Sequence, residues 1–232
     1  MPGVEGAKRR AAEKAVGLVE SGMRLGLGTG STARHVLDVL GERLAAGLVE
    51  DIVGVPTSRW TADYARAAGI PIGSLDDYPH LDLAIDGADE VDPALDCIKG
   101  LGGALLWEKI VASAAERFVV VVDGSKLVEQ LGTRAPLPVE VVPFGWRTHL
   151  DALRELGAEP TLRERDGGPF VTDGGHYIID CRFEGGMADP IGVQTTLRAR
   201  AGVVDTGLFI DMATDVFVAG SGGVEHRRRS TP

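Results

Sequence analysis

A chain of 232 residues is long enough to bury a substantial core, as one large domain or two modest ones. An apolar share of 44% beside 25% charged residues fits a globular protein, and a net charge of −10 speaks against a general nucleic-acid or anionic-membrane surface. No apolar run reaches membrane-spanning length, and the opening MPGVEGAKRRAAEK lacks the apolar stretch of a secretory leader, so a cytoplasmic protein is expected. Cys97 and Cys181 match no zinc or redox spacing and read as buried or incidental thiols in a reducing compartment.

In chain order, residues 7–20 read as a helix that ends near Gly22. MRLGLG is a short buried strand, followed by a glycine-rich loop and a helix over Thr32–Ala46. DIVGVP is a strand, SRWTADYARAAG a helix, and IPIGSL and LDLAID are further strands. GALLWEKIVASAAE is helical and RFVVVVD is a continuous apolar strand. This alternation of strands and helices predicts a mostly parallel sheet covered on both faces.

The pattern changes at APLPVEVVPFG, where prolines cluster. A helix over WRTHLDALRELG, hairpin turns at Asp166–Gly168 and Asp173–Gly175, the strand DCRF and a helix from Asp189 predict a small α+β insert. VVDTGLFI and TDVFVAG read as strands returning to the first sheet, and Arg227, Arg228 and Arg229 as a solvated tail. The expected division is 1–134 plus 205–232 for the large domain and 135–204 for the small one.

Four stretches carry chemistry. GLGTGSTA places glycines and hydroxyls between a strand and a helix, a geometry suited to a phosphate. It lacks the lysine of a P-loop and the spacing of the dinucleotide fingerprint, and a plain cap at Ser31 or Thr32 explains it equally well alone. DGADEVD follows a strand, so Asp86 belongs at the carboxyl end where open α/β sheets bind ligands; a turn with aspartate caps is the alternative. KGLGGALLWEKI offers Lys99, Gly100, Gly102 and Gly103 and then Glu108 on a helix. DGSK puts Lys126 after another strand. Each lysine alone reads as solvated. Together the four give a phosphate seat, two acids, two cations and a helix-borne carboxylate, an inventory that suits moving a proton beside a carbonyl in a small phosphorylated molecule.

In this order and at these spacings, GLGTGST, DGADEVD, KGLGGALLWEKI and DGSK resemble the type A ribose-5-phosphate isomerases, over nearly the whole chain. The resemblance implies a Rossmann-like, doubly wound α/β domain with a smaller inserted α+β domain. It implies a homodimer or homotetramer, and interconversion of ribose 5-phosphate and ribulose 5-phosphate without cofactor or metal. Glu108 matches the family's general base, and Lys99, Asp86 and Asp89 its other active-site residues. Thr29, Gly30, Ser31 and Thr32 match the substrate loop, Lys126 the second substrate lysine, and Lys8 a lysine of the first helix. Leu101 and Trp107 depart from the family's pattern.

The expected reaction opens the sugar ring with help from Asp86, then moves a proton from C2 to C1 on Glu108 through a cis-enediolate beside Lys99. A non-catalytic sugar-phosphate sensor on the same scaffold is the alternative, and it has no need of Glu108 with Lys99. A lactonase or aminosugar-phosphate deaminase would call for a histidine, yet His35, His80, His149, His176 and His226 fall in no motif.

Overall fold

The computed structural model describes residues 4–220 and 222–229. The chain opens with α1 (Val4–Val16), β1 (Arg24–Leu27), α2 (Ser31–Ala45), β2 (Val53–Pro56), α3 (Arg59–Ala67) and β3 (Leu81–Asp86). It continues through β4 (Glu90–Val91), β5 (Cys97–Ile98), α4 (Leu105–Ser113), β6 (Ala115–Asp123), a 3₁₀ turn at Gly124–Lys126 and β7 (Leu137–Val141). After a 3₁₀ turn at Trp146–His149 come α5 (Leu150–Glu155), β8 (Ala158–Leu162), β9 (Glu164–Arg165), β10 (Gly168–Pro169), β11 (Tyr177–Phe183) and α6 (Pro190–Arg198). The last elements are β12 (Val203–Thr206), β13 (Leu208–Phe209), β14 (Asp215–Gly220) and β15 (Gly223–Arg228).

The described residues form two compact units. One holds the chain up to Ala88, Trp107–Lys126 and the chain from Asp211; the other holds Asp89–Leu106 and Leu127–Ile210. The first is built on a six-stranded sheet in the order β15-β14-β6-β3-β1-β2. All its pairs are parallel except β14 with β15. Alternation along the strands sorts the faces. Leu25, Leu27, Leu83 and Ile85 enter a core shared with α1 and α2, where Ala11, Ala12 and Ala15 let the helix backbone approach closely. Burying each leucine or isoleucine there contributes roughly 1.5–3 kcal/mol. Gly26 and Ala84 face the other way, and Val111 of α4 rests on them. The mostly parallel α/β sheet expected from the sequence is therefore present.

The second unit has a four-stranded antiparallel sheet, β12-β7-β11-β8, and a three-stranded one, β13-β5-β4. Leu137, Val139 and Val141 of β7 pack with Ile179, Cys181, Leu153 and Leu197. Asp166 and Gly167 have φ of 55° and 81°, the paired positive values of a tight hairpin turn, and join β9 to β10.

Several expectations need correction. IPIGSL forms a single bridge, Ile72 to Gly54, rather than a strand, because Ser74 turns the chain by bonding Asp77. VVDTGLFI does not return to the first sheet: β12 pairs with β7 and β13 with β5. Both strands lie in the second unit, which holds Leu127–Ile210 and Asp89–Leu106. The helix of GALLWEKIVASAAE starts later and stops at Ser113, since Ala115 already pairs with Leu81.

The triple arginine is not a solvated tail. Arg227 and Arg228 lie in β15, which pairs along its length with β14, and Arg228 and Arg229 bond Asp215 and Asp211. Cys97 and Cys181 are buried thiols, as read from the sequence, and burial pushes the Cys181 thiol well up.

Candidate active site

β1 ends at Leu27 and α2 begins at Ser31, so Gly28, Thr29 and Gly30 make the whole turn. The residue at 28 has to be glycine: a Cβ there would stand 2.1 Å from Asp86 Oδ1. That oxygen accepts the amides of Thr29 at 3.1 Å and Gly87 at 2.7 Å, so Asp86, the last residue of β3, clamps the loop to its neighbouring strand. Gly30 has φ 110° and itself occupies the N-cap position of α2, with no side-chain cap bond. The alternative of a cap at Ser31 or Thr32 is thereby removed. The first turn of α2 carries no acidic residue of its own, which lets its amides favour an anion.

Ser31 is exposed and Thr32 half-buried. Lys8 Nζ of α1 reaches the Ser31 hydroxyl at 3.3 Å and Glu5 at 3.4 Å. Burial raises the Asp123 carboxyl. Hydrogen bonds from Ser125 and the charges of Lys8 and Lys126 outweigh that and hold it below the usual range. The charges of the two lysines, from α1 and from the turn after β6, thus act on one carboxylate.

Glu108 is the fourth residue of α4 and 5% exposed. One turn further on, Val111 sits on Gly26 of β1, so the helix that carries Glu108 is packed on the strand that opens into the loop. Trp107 turns to a different place. With Val55, Leu75 and Ile110 it lines a cavity of about 430 Å³.

Asp89, Lys99, Gly100, Gly102 and Gly103 belong to the second unit. Lys99 is not solvated: it is 2% exposed, and its ammonium lies 5.4 Å from the centre of the Phe209 ring. Gly100 and Gly103 have φ of 104° and 85°, and the Gly103 amide donates to the Gly100 carbonyl. Gly102 faces open space. Asp89 is half-buried and accepts the Leu101 amide at 3.0 Å, which leaves the Leu101 side chain at the surface.

Two further residues support the site without having been singled out in the sequence. Arg163 grips Asp180 through Nε and Nη2 and donates from Nη1 to the carbonyls of Gly100 at 2.9 Å and Leu101 at 3.1 Å. Glu90, inside DGADEVD, is fully buried and accepts the amides of Gly132, Arg134 and Ala135, a structural task rather than a chemical one. Among the described residues, no group of three His, Cys, Asp or Glu side chains is placed to hold a metal ion, and no helix is long and apolar enough to cross a membrane.

Residues 53–223 match the family model described as ribose 5-phosphate isomerase A (phosphoriboisomerase A). The chain belongs to the ribose 5-phosphate isomerase A family. A ribose-5-phosphate isomerase A from Gloeobacter violaceus is 55% identical over 219 residues, 94% of each chain. The ribose 5-phosphate isomerase from Plasmodium falciparum superposes with a TM-score of 0.95 at 36% identity, covering 98% of this chain and 100% of that one. A D-ribose-5-phosphate isomerase solved in complex with phospho-erythronic acid is 42% identical, with a TM-score of 0.95 over 97% of this chain and 99% of that one. As a ribose 5-phosphate isomerase of type A, the chain is an enzyme, an aldose–ketose isomerase, and the reading as a non-catalytic sensor is set aside.

Proposed function

We propose that the enzyme interconverts D-ribose 5-phosphate and D-ribulose 5-phosphate through a cis-enediolate, with no metal or cofactor, in the non-oxidative branch of the pentose phosphate pathway. The observation that carries this reading is the seating of α4. A buried carboxylate, Glu108, rides on a helix packed against β1, and β1 runs directly into an anion-favouring loop.

The loop amides, the Ser31 hydroxyl, Lys8 and Lys126 hold the phosphate. Its binding energy positions the sugar. Asp86, its plane set by the Thr29 and Gly87 amides, assists proton transfer as the ring opens, with Asp89 as the second acid. Glu108 then takes the proton from C2. The C–H pair becomes the C1–C2 double bond and charge moves to O1. Transfer of the C2 hydroxyl proton to O1 and return of the carried proton to C1 leave a ketone at C2. One carboxylate serves both carbons because they are adjacent. General-base help of this kind is worth about 10²–10⁴ in rate. Lys99, taken out of water, stabilises the oxyanion, and a lost donor of that sort costs ~10²–10³. We further propose a cytoplasmic homodimer or homotetramer, in keeping with the family.

Phospho-erythronic acid, found with a 42% identical relative, joins a phosphate to a planar carboxylate and so matches the enediolate in shape and charge. The test is a coupled assay on ribose 5-phosphate with EDTA and with this acid. Unchanged turnover in chelator and competitive inhibition well below KM are expected. Loss of activity in chelator would contradict the metal-free mechanism.

A further inference from the structure

The Thr29 side chain points away from the phosphate seat. Its Oγ1 lies 2.7 Å from Thr57 Oγ1, 2.9 Å from Ser58 Oγ and 2.9 Å from Thr61 Oγ1. Thr57, Ser58 and Thr61 are buried, at 2%, 5% and 0% exposure. Thr57 Oγ1 also donates to the Leu27 carbonyl at 3.0 Å, Thr61 Oγ1 to the Gly28 carbonyl at 2.9 Å, and Ser58 Oγ contacts Thr61 Oγ1 at 3.0 Å. Ser58 additionally accepts the Thr61 amide as the N-cap of α3.

Proton counting decides what this cluster does. A hydroxyl has one proton and two lone pairs. Six oxygen contacts share four hydroxyl protons, so these protons are already consumed within the cluster. The Thr29 hydroxyl therefore has no proton left for a ligand. Two of the cluster's donors end on the carbonyls of Leu27 and Gly28, the residues that lead into the loop. On the opposite side, Asp86 holds the Thr29 amide. The turn is pinned at its backbone from two directions.

We propose that Thr57, Ser58 and Thr61 are positioning residues for the substrate loop, with Thr61 as the hub. In this reading the Thr29 hydroxyl acts through them and not on the phosphate. The cluster fixes the aim of the amides at the start of α2, so its loss weakens every ligand that carries a phosphate, whatever the rest of the molecule. The inference rests on the phosphate seat proposed above.

The experiment measures KM for ribose 5-phosphate, the inhibition constant of inorganic phosphate, kcat and Tm on the full chain. Thr61→Val is expected to raise KM and the phosphate constant together, by roughly five- to tenfold, with kcat changed far less. Thr61→Ser keeps the hydroxyl and restores both constants. Thr29→Val added to Thr61→Val costs little more, because the two share one network. If Thr61→Val does not fold, Thr57→Val, which removes the Leu27 arm and the contact to Thr29, carries the same expectation. A folded variant with an unchanged phosphate constant overturns the positioning role, as does Thr61→Ser behaving like Thr61→Val. Ser31→Ala separates the two readings: if it weakens phosphate while the network variants do not, the seat stands and the positioning role falls. If none of them changes phosphate binding, the seat itself falls and takes the positioning role with it.

Discussion

The Asp86 carboxylate fills the space in which a side chain at Gly28 would stand, and the oxygen that fills it accepts the next residue's amide. The acid of DGADEVD and the first loop glycine of GLGTGSTA are therefore one device. Gly28→Ala must displace either the strand end or the carboxylate. Overpacking of this kind costs about 1–3 kcal/mol. We expect Tm to fall and kcat/KM to fall further than stability alone explains. Thermal unfolding and steady-state kinetics on the same preparation check this.

Arg163 ties the Gly100 and Leu101 carbonyls to Asp180. Arg163→Lys keeps the charge but cannot reproduce the planar fork. A loop loosened by an ångström typically costs about 10²-fold in rate. The expected result is a loss of kcat approaching that size in Arg163→Lys with a largely retained Tm, read by kinetics and calorimetry.

Much of the first unit was legible because its signals are local. β1, β3 and β6 are short apolar runs, each followed by glycine or aspartate punctuation, and Asp86 and Glu108 stand where the strand and helix readings placed them. What escaped depends on distant pairing. Arg163 meets Gly100 across 63 residues, and nothing near either one points to the other. The destination of VVDTGLFI rests on β7 and β5, strands far back in the chain, and nothing within the segment itself points to either. Lysine is a surface residue by habit, so the burial of Lys99 is visible only once Phe209 lies against it. The Thr29 hydroxyl reads as a phosphate donor until Thr57, Ser58 and Thr61 are seen behind it.

Asp215 is the hub that makes the C-terminal arginines structural. It is buried and receives Nε and Nη2 of Arg117, the Thr214 hydroxyl, His226 and Arg228. Burial alone would raise its carboxyl, but the bonds from Arg117, Thr214 and His226 win and hold it well below the ordinary carboxylate range. A folded-state pKa below the unfolded one means stability that is present above about pH 4 and lost as pH falls further, through the folded value. Asp215→Asn is expected to cost about 1.5–3 kcal/mol at pH 7. The gap from the parent should narrow below about pH 4. Urea unfolding across that pH range measures both effects.

His149 offers a second, milder pH signature. Burial, and then the neighbouring Arg200 charge, lower its pKa; Arg200 Nε donates to its Nδ1. The unfolded chain therefore takes up a proton more readily. Stability should decline as pH drops below about 6.5, and His149→Gln should flatten that decline, as followed by thermal unfolding between neutral and mildly acidic pH.

The central claim is that the Glu108 carboxylate carries the proton between C2 and C1. The direct measurement is turnover of Glu108→Gln on ribose 5-phosphate, with deuterium uptake at C1 of the ribulose 5-phosphate formed in heavy water. The account predicts an unchanged fold, inhibition by inorganic phosphate close to that of the parent, and loss of both turnover and exchange by about 10²–10⁴ or more. Near-parental turnover or exchange in a folded Glu108→Gln enzyme would contradict it.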